Sequence, residues 1–163
     1  SSLPSADHFI PRHLGPSEAE QRAMLAALDR GADVVLVSCL MPGGGIENVP
    51  WARRMLTRWG NRYLSLCCGG RVRTLSCVVR GWRRSNLPRT GVTSNGPTIN
   101  LHLYEHALRE KLRVEEIPGV LCWPTDESRS GRLRIGKLVA QVALTLRWGA
   151  RLRRVYRETL DRP

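Results

Sequence analysis

The run 33-DVVLVSCLMPGGG-45 decides the fold. Its uncharged, β-branched centre suits a buried strand, which Pro42 and the glycines Gly43, Gly44 and Gly45 bring to an end. The segment that follows, 49-VPWARRMLTRWG-60, puts Pro50 at a first helical turn and repeats Trp51, Met55 and Trp59 every four residues. That spacing predicts a helix closed by Gly60. Glycines between a strand and a helix let backbone N–H groups approach a phosphate. Neither the Lys-Ser/Thr end of a Walker loop nor a spaced G-x-G-x-x-G follows, so a plain strand-to-helix turn is the stronger reading.

Upstream, Ser17 with Glu20 three residues later forms a capping box. Met24, Leu25 and Leu28 predict one apolar helix face, and Gly31 a C-terminal stop. Downstream, 62-RYLSLCCGGRVRTLSCVVRGW-82 is expected to form two strands joined at Gly69-Gly70. Residues 81–97 are rich in turn formers and predict a loop or a disordered linker. Leu101, Tyr104, Leu108 and Leu112 restore helical spacing. A longer helix is expected over 133–160, striped by Ile135, Leu138, Val139, Val142 and Leu146 and broken or bent at Gly149. The fold class expected is α+β: short helices, a small hairpin-containing sheet and a long C-terminal helix, only part of which need be ordered.

The chain of 163 residues carries 26 Lys plus Arg against 14 Asp plus Glu. Only Lys111 and Lys137 are lysines, and no carboxylate lies between Glu47 and Glu105. A single-sign run of that length calls for a polyanion, an acidic partner or no folded state. Arg53, Arg54, Arg58, Arg71, Arg73, Arg83 and Arg84, with the tryptophans Trp51, Trp59, Trp82 and Trp148 interleaved among the arginines, form the candidate nucleic-acid surface, with charge for phosphates and rings for stacking. The competing reading makes Trp51 and Trp59 core residues and the arginines merely solvated. No helix-turn-helix, RNA-recognition or zinc-finger pattern accompanies them. The C-terminal 146-LRWGARLRRVYRETLDR-162 could instead lie on an anionic membrane, against which Glu158, Asp161 and the Gly149 break count.

The five cysteines are Cys39, Cys67, Cys68, Cys77 and Cys122, with no C-x-x-C pair, and are expected to be reduced thiols of a cytoplasmic protein. No apolar run approaches the roughly 18 residues that span a bilayer. His102, Glu105 and His106 have the H-x-x-E-H spacing that sets two imidazoles one helical turn apart for zinc. The alternative is a solvent-facing histidine pair opposite the Leu101, Leu108 and Leu112 stripe. Oligomeric state is not legible.

Phe9, Arg12, His13, Leu14, Gly15, Pro16, Glu20, Met24 and Leu25 stand at fixed spacing in 8-HFIPRHLGPSEAEQRAMLAAL-28. Over about residues 7–28 this segment resembles the N-terminus of the glycine cleavage system P-protein, the pyridoxal-phosphate-dependent glycine decarboxylase. The resemblance implies a division into residues 1–28 and an Arg-rich region, 29–163. It also implies pyridoxal phosphate as the family's cofactor and a lipoyl carrier as its partner. Neither Lys111 nor Lys137 has the family's His-Lys context, so no catalytic residue carries over. The compositional bias of residues 30–104 is that of out-of-frame translation of GC-rich DNA. The expectation is therefore a truncated or frame-disrupted relative without catalytic competence. The alternatives are a small basic nucleic-acid binder and, third, a zinc-peptidase-like protein.

Overall fold

The computed structural model describes residues 16–77, 79–88, 98–122 and 135–161. Its elements are α1 (Glu18–Asp29), β1 (Val34–Ser38), β2 (Gly45–Glu47), α2 (Trp51–Cys67), β3 (Arg80–Trp82), α3 (Ile99–Arg109), β4 (Val114–Pro118), β5 (Val120–Cys122) and α4 (Ile135–Leu160). A 3-10 turn covers Arg84–Asn86. The protein is α+β, with a small sheet and a long C-terminal helix.

β1 is the middle strand. It pairs antiparallel with β3 (Val34 opposite Trp82) and parallel with β4 (Val34 opposite Val114, Ser38 opposite Pro118). On one face Val34 and Leu36 meet Leu64 of α2, Leu101 and Tyr104 of α3 and Trp148 and Leu152 of α4. On the other, Val35 and Ile117 meet Met24, Ala27 and Leu28 of α1. Burial on both faces explains why the strand is continuously apolar rather than alternating. Beyond Ser38 the parallel pair breaks and resumes as β2 against β5. The join is tight: a Cβ on Gly44 would lie 2.5 Å from the Ser38 carbonyl oxygen, and one on Gly119 would lie 2.1 Å from the Val37 side chain. The triple glycine thus serves chain crossing. Its amides are partly spent within the protein, Gly44 N–H donating to Met41 O and Gly45 N–H to Gly119 O.

α1 starts with the expected capping box, Glu20 N–H donating to Ser17 Oγ and Ser17 N–H to Glu20 Oε2. Gly31, with φ +99°, makes the turn after it. Met24 and Leu28 pack inward, whereas Leu25 is exposed. Residue 28, where the sequence suggested a division, lies within this helix.

Several expectations need correction. The Gly69-Gly70 hairpin is absent: its first arm is the last two turns of α2, and residues 71–77 run irregularly across the end of the sheet. Gly60 does not close α2 but lies against α4, 3.7 Å from Thr145 Cγ2 to a Cβ built upon it. Gly149 likewise does not break α4, which runs unbroken from Ile135 to Leu160. It is buried because the Tyr63 ring occupies the place of a side chain, 2.2 Å from a Cβ. In the expected loop 81–97, Gly81 and Trp82 belong to β3 and Arg84–Asn86 form the 3-10 turn, while residues 89–97 lie outside the described residues. α3 ends at Arg109, and β4 and β5 follow where no strand was expected.

The glycine contacts yield a paired test. Gly149→Ala must push the Tyr63 ring aside and is expected to cost about 1–3 kcal/mol. Gly136→Ala, with nothing within 4 Å of the new methyl, should leave stability unchanged or raise it by up to about 1 kcal/mol. Urea midpoints of the two variants measured side by side check the assignment.

Candidate functional site

Parallel strands in open sheets bind ligands beyond their carboxyl ends, and here the ends of β1 and β4 are where buried polar groups gather. Ser38 closes β1 with its hydroxyl 2.7 Å from Thr74 Oγ1. Both residues are buried. From β4, Glu116 accepts the Arg73 and Thr74 N–H groups at 2.9 and 2.8 Å. From α2, Asn61 accepts the Leu75 and Ser76 N–H groups at 2.9 and 3.1 Å. Its amide nitrogen donates to Thr57 O and approaches Ser76 Oγ. Two elements therefore hold residues 73–76 by their backbone, and β1 adds the Ser38–Thr74 side-chain contact, which is why a segment without regular structure keeps one conformation.

Cys39 follows Ser38 and is half-buried. Burial pushes its thiol pKa up. Its own backbone hydrogen bond and the Arg58 guanidinium pull the other way, and Glu116 adds to the rise. Cys39 thus registers a cation from α2 and an anion from β4 at the same strand end. Burial pushes Cys77, behind the loop, up to about 11. What the site offers is an exposed arginine, Arg58, and a pair of loop arginines, Arg71 and Arg73, both also exposed, on a fixed backbone. This suits holding an anionic group rather than covalent attack, since a thiol with a raised pKa is a poor nucleophile at neutral pH.

The candidate arginines do not form one surface. Arg53, Arg54 and Arg58 lie on α2, and Arg71 and Arg73 lie on the loop at the carboxyl end of β1. Arg83 is at the other end, donating to Leu28 O and Ala32 O and standing 3.9 Å from Asp33. Arg84 belongs to the 3-10 turn next to it. The length of β1, about 17 Å, separates the groups. Trp51 and Trp59 are exposed rather than core, and Trp82 and Trp148 pack inward.

His102, Glu105 and His106 share one helix, as expected, without converging on a metal. Glu105 is buried and held by Arg109 at 2.8 Å and Arg151 at 2.7 Å. His102 is edge-on to Trp148, with ring centroids 4.5 Å apart. His106 Nε2 lies 3.2 Å from Asn86 O. Neither histidine is a free solvent-facing group, and no cluster of three metal-ligating side chains occurs among the described residues. The zinc-peptidase reading is corrected accordingly: guanidinium groups occupy the carboxylate that the chemistry would require. Of the P-protein motif, Phe9, Arg12, His13 and Gly15 lie outside the described residues. Pro16 and Glu20 belong to the start of α1, where Glu20 Oε1 also accepts the Val120 N–H. No helix in the described residues is long and apolar enough to cross a membrane.

No protein-family model matches the chain. The polyprenol monophosphomannose synthase of Mycolicibacterium smegmatis is 30% identical to it over 102 residues, covering 61% of this chain. The chain spans about two fifths of that relative's length, 38%. This finding overturns the P-protein resemblance. A match extending over 61% of the chain cannot be contained in residues 7–28, and it leaves no ground for a frame-disrupted remainder, for pyridoxal phosphate or for a lipoyl partner. It equally gives no support to a nucleic-acid binder.

Two substitutions test the architecture. Asn61→Ala strands the buried Leu75 N–H and should cost about 2 kcal/mol or more, with accelerated hydrogen exchange at residues 75 and 76. For Glu105, burial alone would raise the carboxyl pKa, but the hydrogen bonds from Arg151 and Arg109 more than offset it and hold the group below its ordinary value. The stabilisation is present above the unfolded carboxylate pKa and is lost as pH falls through the folded one. Both arginines are partly exposed, so Glu105→Gln should cost about 1–2 kcal/mol at neutral pH. In urea titrations the difference from the parent should vanish in acid.

Proposed function

We propose that the chain forms part of a glycosyltransferase-type protein that joins mannose to a polyprenol monophosphate, and that the carboxyl ends of β1 and β4 seat the phosphate of the lipid acceptor. The observation that carries the reading is the 30% identity over 102 residues to a polyprenol monophosphomannose synthase. The chemistry of the site supports it. In such a transfer a phosphate oxygen of the acceptor forms the new bond to the sugar's anomeric carbon as the donor's leaving group departs. The acceptor is already an anion, so the protein must hold and orient it more than deprotonate it.

Arg58 is the cation to bet on for this task. It is exposed, and its charge reaches the Cys39 thiol at the end of β1. Arg71 and Arg73 stand on the loop whose backbone Glu116 and Asn61 fix, so their positions are held without their guanidinium groups being consumed. Planar guanidinium groups bind phosphate oxygens in pairs, which a lysine cannot do.

Because the chain spans 38% of the relative's length, binding rather than turnover is the decisive measurement. A short-chain polyprenyl monophosphate and the corresponding polyprenol, each in detergent micelles, are titrated against the 163-residue chain. The phosphorylated lipid should bind more tightly, and Arg58→Ala should weaken it about tenfold. Equal affinity for the two lipids would overturn the reading.

A further inference from the structure

α2 and α4 pack side by side in the same direction. Gly60 meets Thr145, Tyr63 meets Gly149, and Gly69, just past α2, meets Tyr156, so contacts advance together along both chains. On α2, Trp51, Met55 and Trp59 are all exposed, at 69%, 44% and 43%. With 3.6 residues per turn they occupy an arc of about 80° that begins beside the α4 contact line. On α4, the exposed Ile135, Val139 and Leu146, with the half-buried Val142, fall within about 60°, next to the α2 contact line.

Viewed from the N-termini, the first stripe lies anticlockwise of its contact line and the second clockwise. In a parallel pair that sends both to the same side, away from the core. The result is one face of two tryptophans, a methionine and four aliphatic residues; Trp59 stacks on Tyr63 of its own helix, with ring centroids 5.9 Å apart, and the exposed remainder is open among the described residues.

The same wheel positions place exposed arginines around this face: Arg58 at the outer edge of α2, Arg62 where the α2 stripe continues past Trp59, and Arg153 and Arg157 where the α4 stripe continues towards its C-terminus. None of the four has a carboxylate within ion-pair distance among the described residues, whereas Arg109, Arg151 and Arg154 are paired. We infer that this face docks the protein on an anionic lipid surface, with the tryptophans entering the headgroup layer and the arginines meeting lipid phosphates.

Charge complementarity selects this occupant. Tryptophan at a wet–apolar boundary and long basic side chains that keep their heads at the phosphates are what such a surface accommodates. A second copy meeting the face symmetrically would bring these arginines against their own counterparts. The inference stands on the helix faces and goes beyond the reading of the β1–β4 site without depending on it.

The test is co-sedimentation of the full chain with phosphatidylcholine vesicles, with and without phosphatidylglycerol and free of any polyprenyl lipid. Binding is expected only to the anionic vesicles, with a blue shift of tryptophan emission and quenching by brominated lipid. Trp51→Ser/Trp59→Ser should weaken binding by about tenfold or more, and Arg62→Glu/Arg157→Glu should abolish the phosphatidylglycerol dependence. All four positions are exposed, so the variants should fold, with circular dichroism as the check. Failure to bind anionic vesicles would overturn the inference, as would a dimer in solution that Trp51→Ser/Trp59→Ser dissociates. Since the vesicles hold no polyprenyl phosphate, neither result bears on the acceptor site.

Discussion

The whole arrangement depends on β1 being used on all four sides. Its edges are hydrogen-bonded to β3 and β4. One face roofs the core made with α2, α3 and α4, and the other receives α1. A five-residue strand in that position admits no charge and little variation in volume, because every substitution is felt by two layers at once. It also fixes where chemistry can occur. The first polar side chain along the strand, Ser38, is the last residue paired with β4, and the polar contacts of Thr74, Asn61 and Glu116 collect around that point.

How legible this was depended on whether a residue's role was local. The capping box of Ser17 and Glu20, the Gly31 turn and the apolar run of β1 are written within a few residues, and the sequence shows them directly. Gly60 and Gly149 look the same in sequence as helix-ending glycines. Their role is to let α2 and α4 approach, and only the partner's Thr145 or Tyr63 distinguishes contact from termination. The arm expected at 62–68 failed for a related reason. Leu64 and Cys68 are one helical turn apart and both enter the core, while the adjacent Cys67 and the Gly69-Gly70 pair gave the segment the look of a strand and turn. β4 escaped notice because Glu115 and Glu116 make 114-VEEIP-118 look polar. Their heads are occupied by Arg30 and by the 73–74 backbone, neither of which is a sequence neighbour.

The arginine surplus resolves in the same way. Taken as one run it suggested a polyanion. The fold distributes it into guanidinium groups that satisfy the protein's own carbonyls, as Arg80 does with Asn100 O and Cys77 O, into pairs with buried or partly buried carboxylates, and into a remainder, Arg58, Arg62, Arg153 and Arg157 among them, with no carboxylate at ion-pair distance among the described residues. Asn61 and Glu116 were legible only as polar residues. That they serve one loop from two elements required the topology, and so the site itself was not visible in the sequence although Arg58 and Arg73 were singled out.

The unpaired remainder is not randomly placed. On α2, Asn61 and Ser65 turn towards the loop and the core, Trp51, Met55 and Trp59 turn away from them, and Arg58 falls on the arc between. Arg58, the residue proposed to hold the acceptor phosphate, is therefore also the boundary of the apolar face. An acceptor whose phosphate lies at a headgroup and whose chain lies in a bilayer presents those two parts in the same order, with the anion beside the apolar surface rather than above or below it. A protein resting on that face would reach the phosphate sideways, through Arg58, without lifting the isoprenoid chain into water. Exposing such a chain costs about 0.8 kcal/mol per methylene, and summed over several isoprene units this exceeds the roughly 1.5–3 kcal/mol that a charge-assisted arginine–phosphate hydrogen bond returns. Under the two proposals together, α2 would join the membrane-docking face to the acceptor site, supplying the apolar stripe, the cation and, through Asn61, the support for the loop.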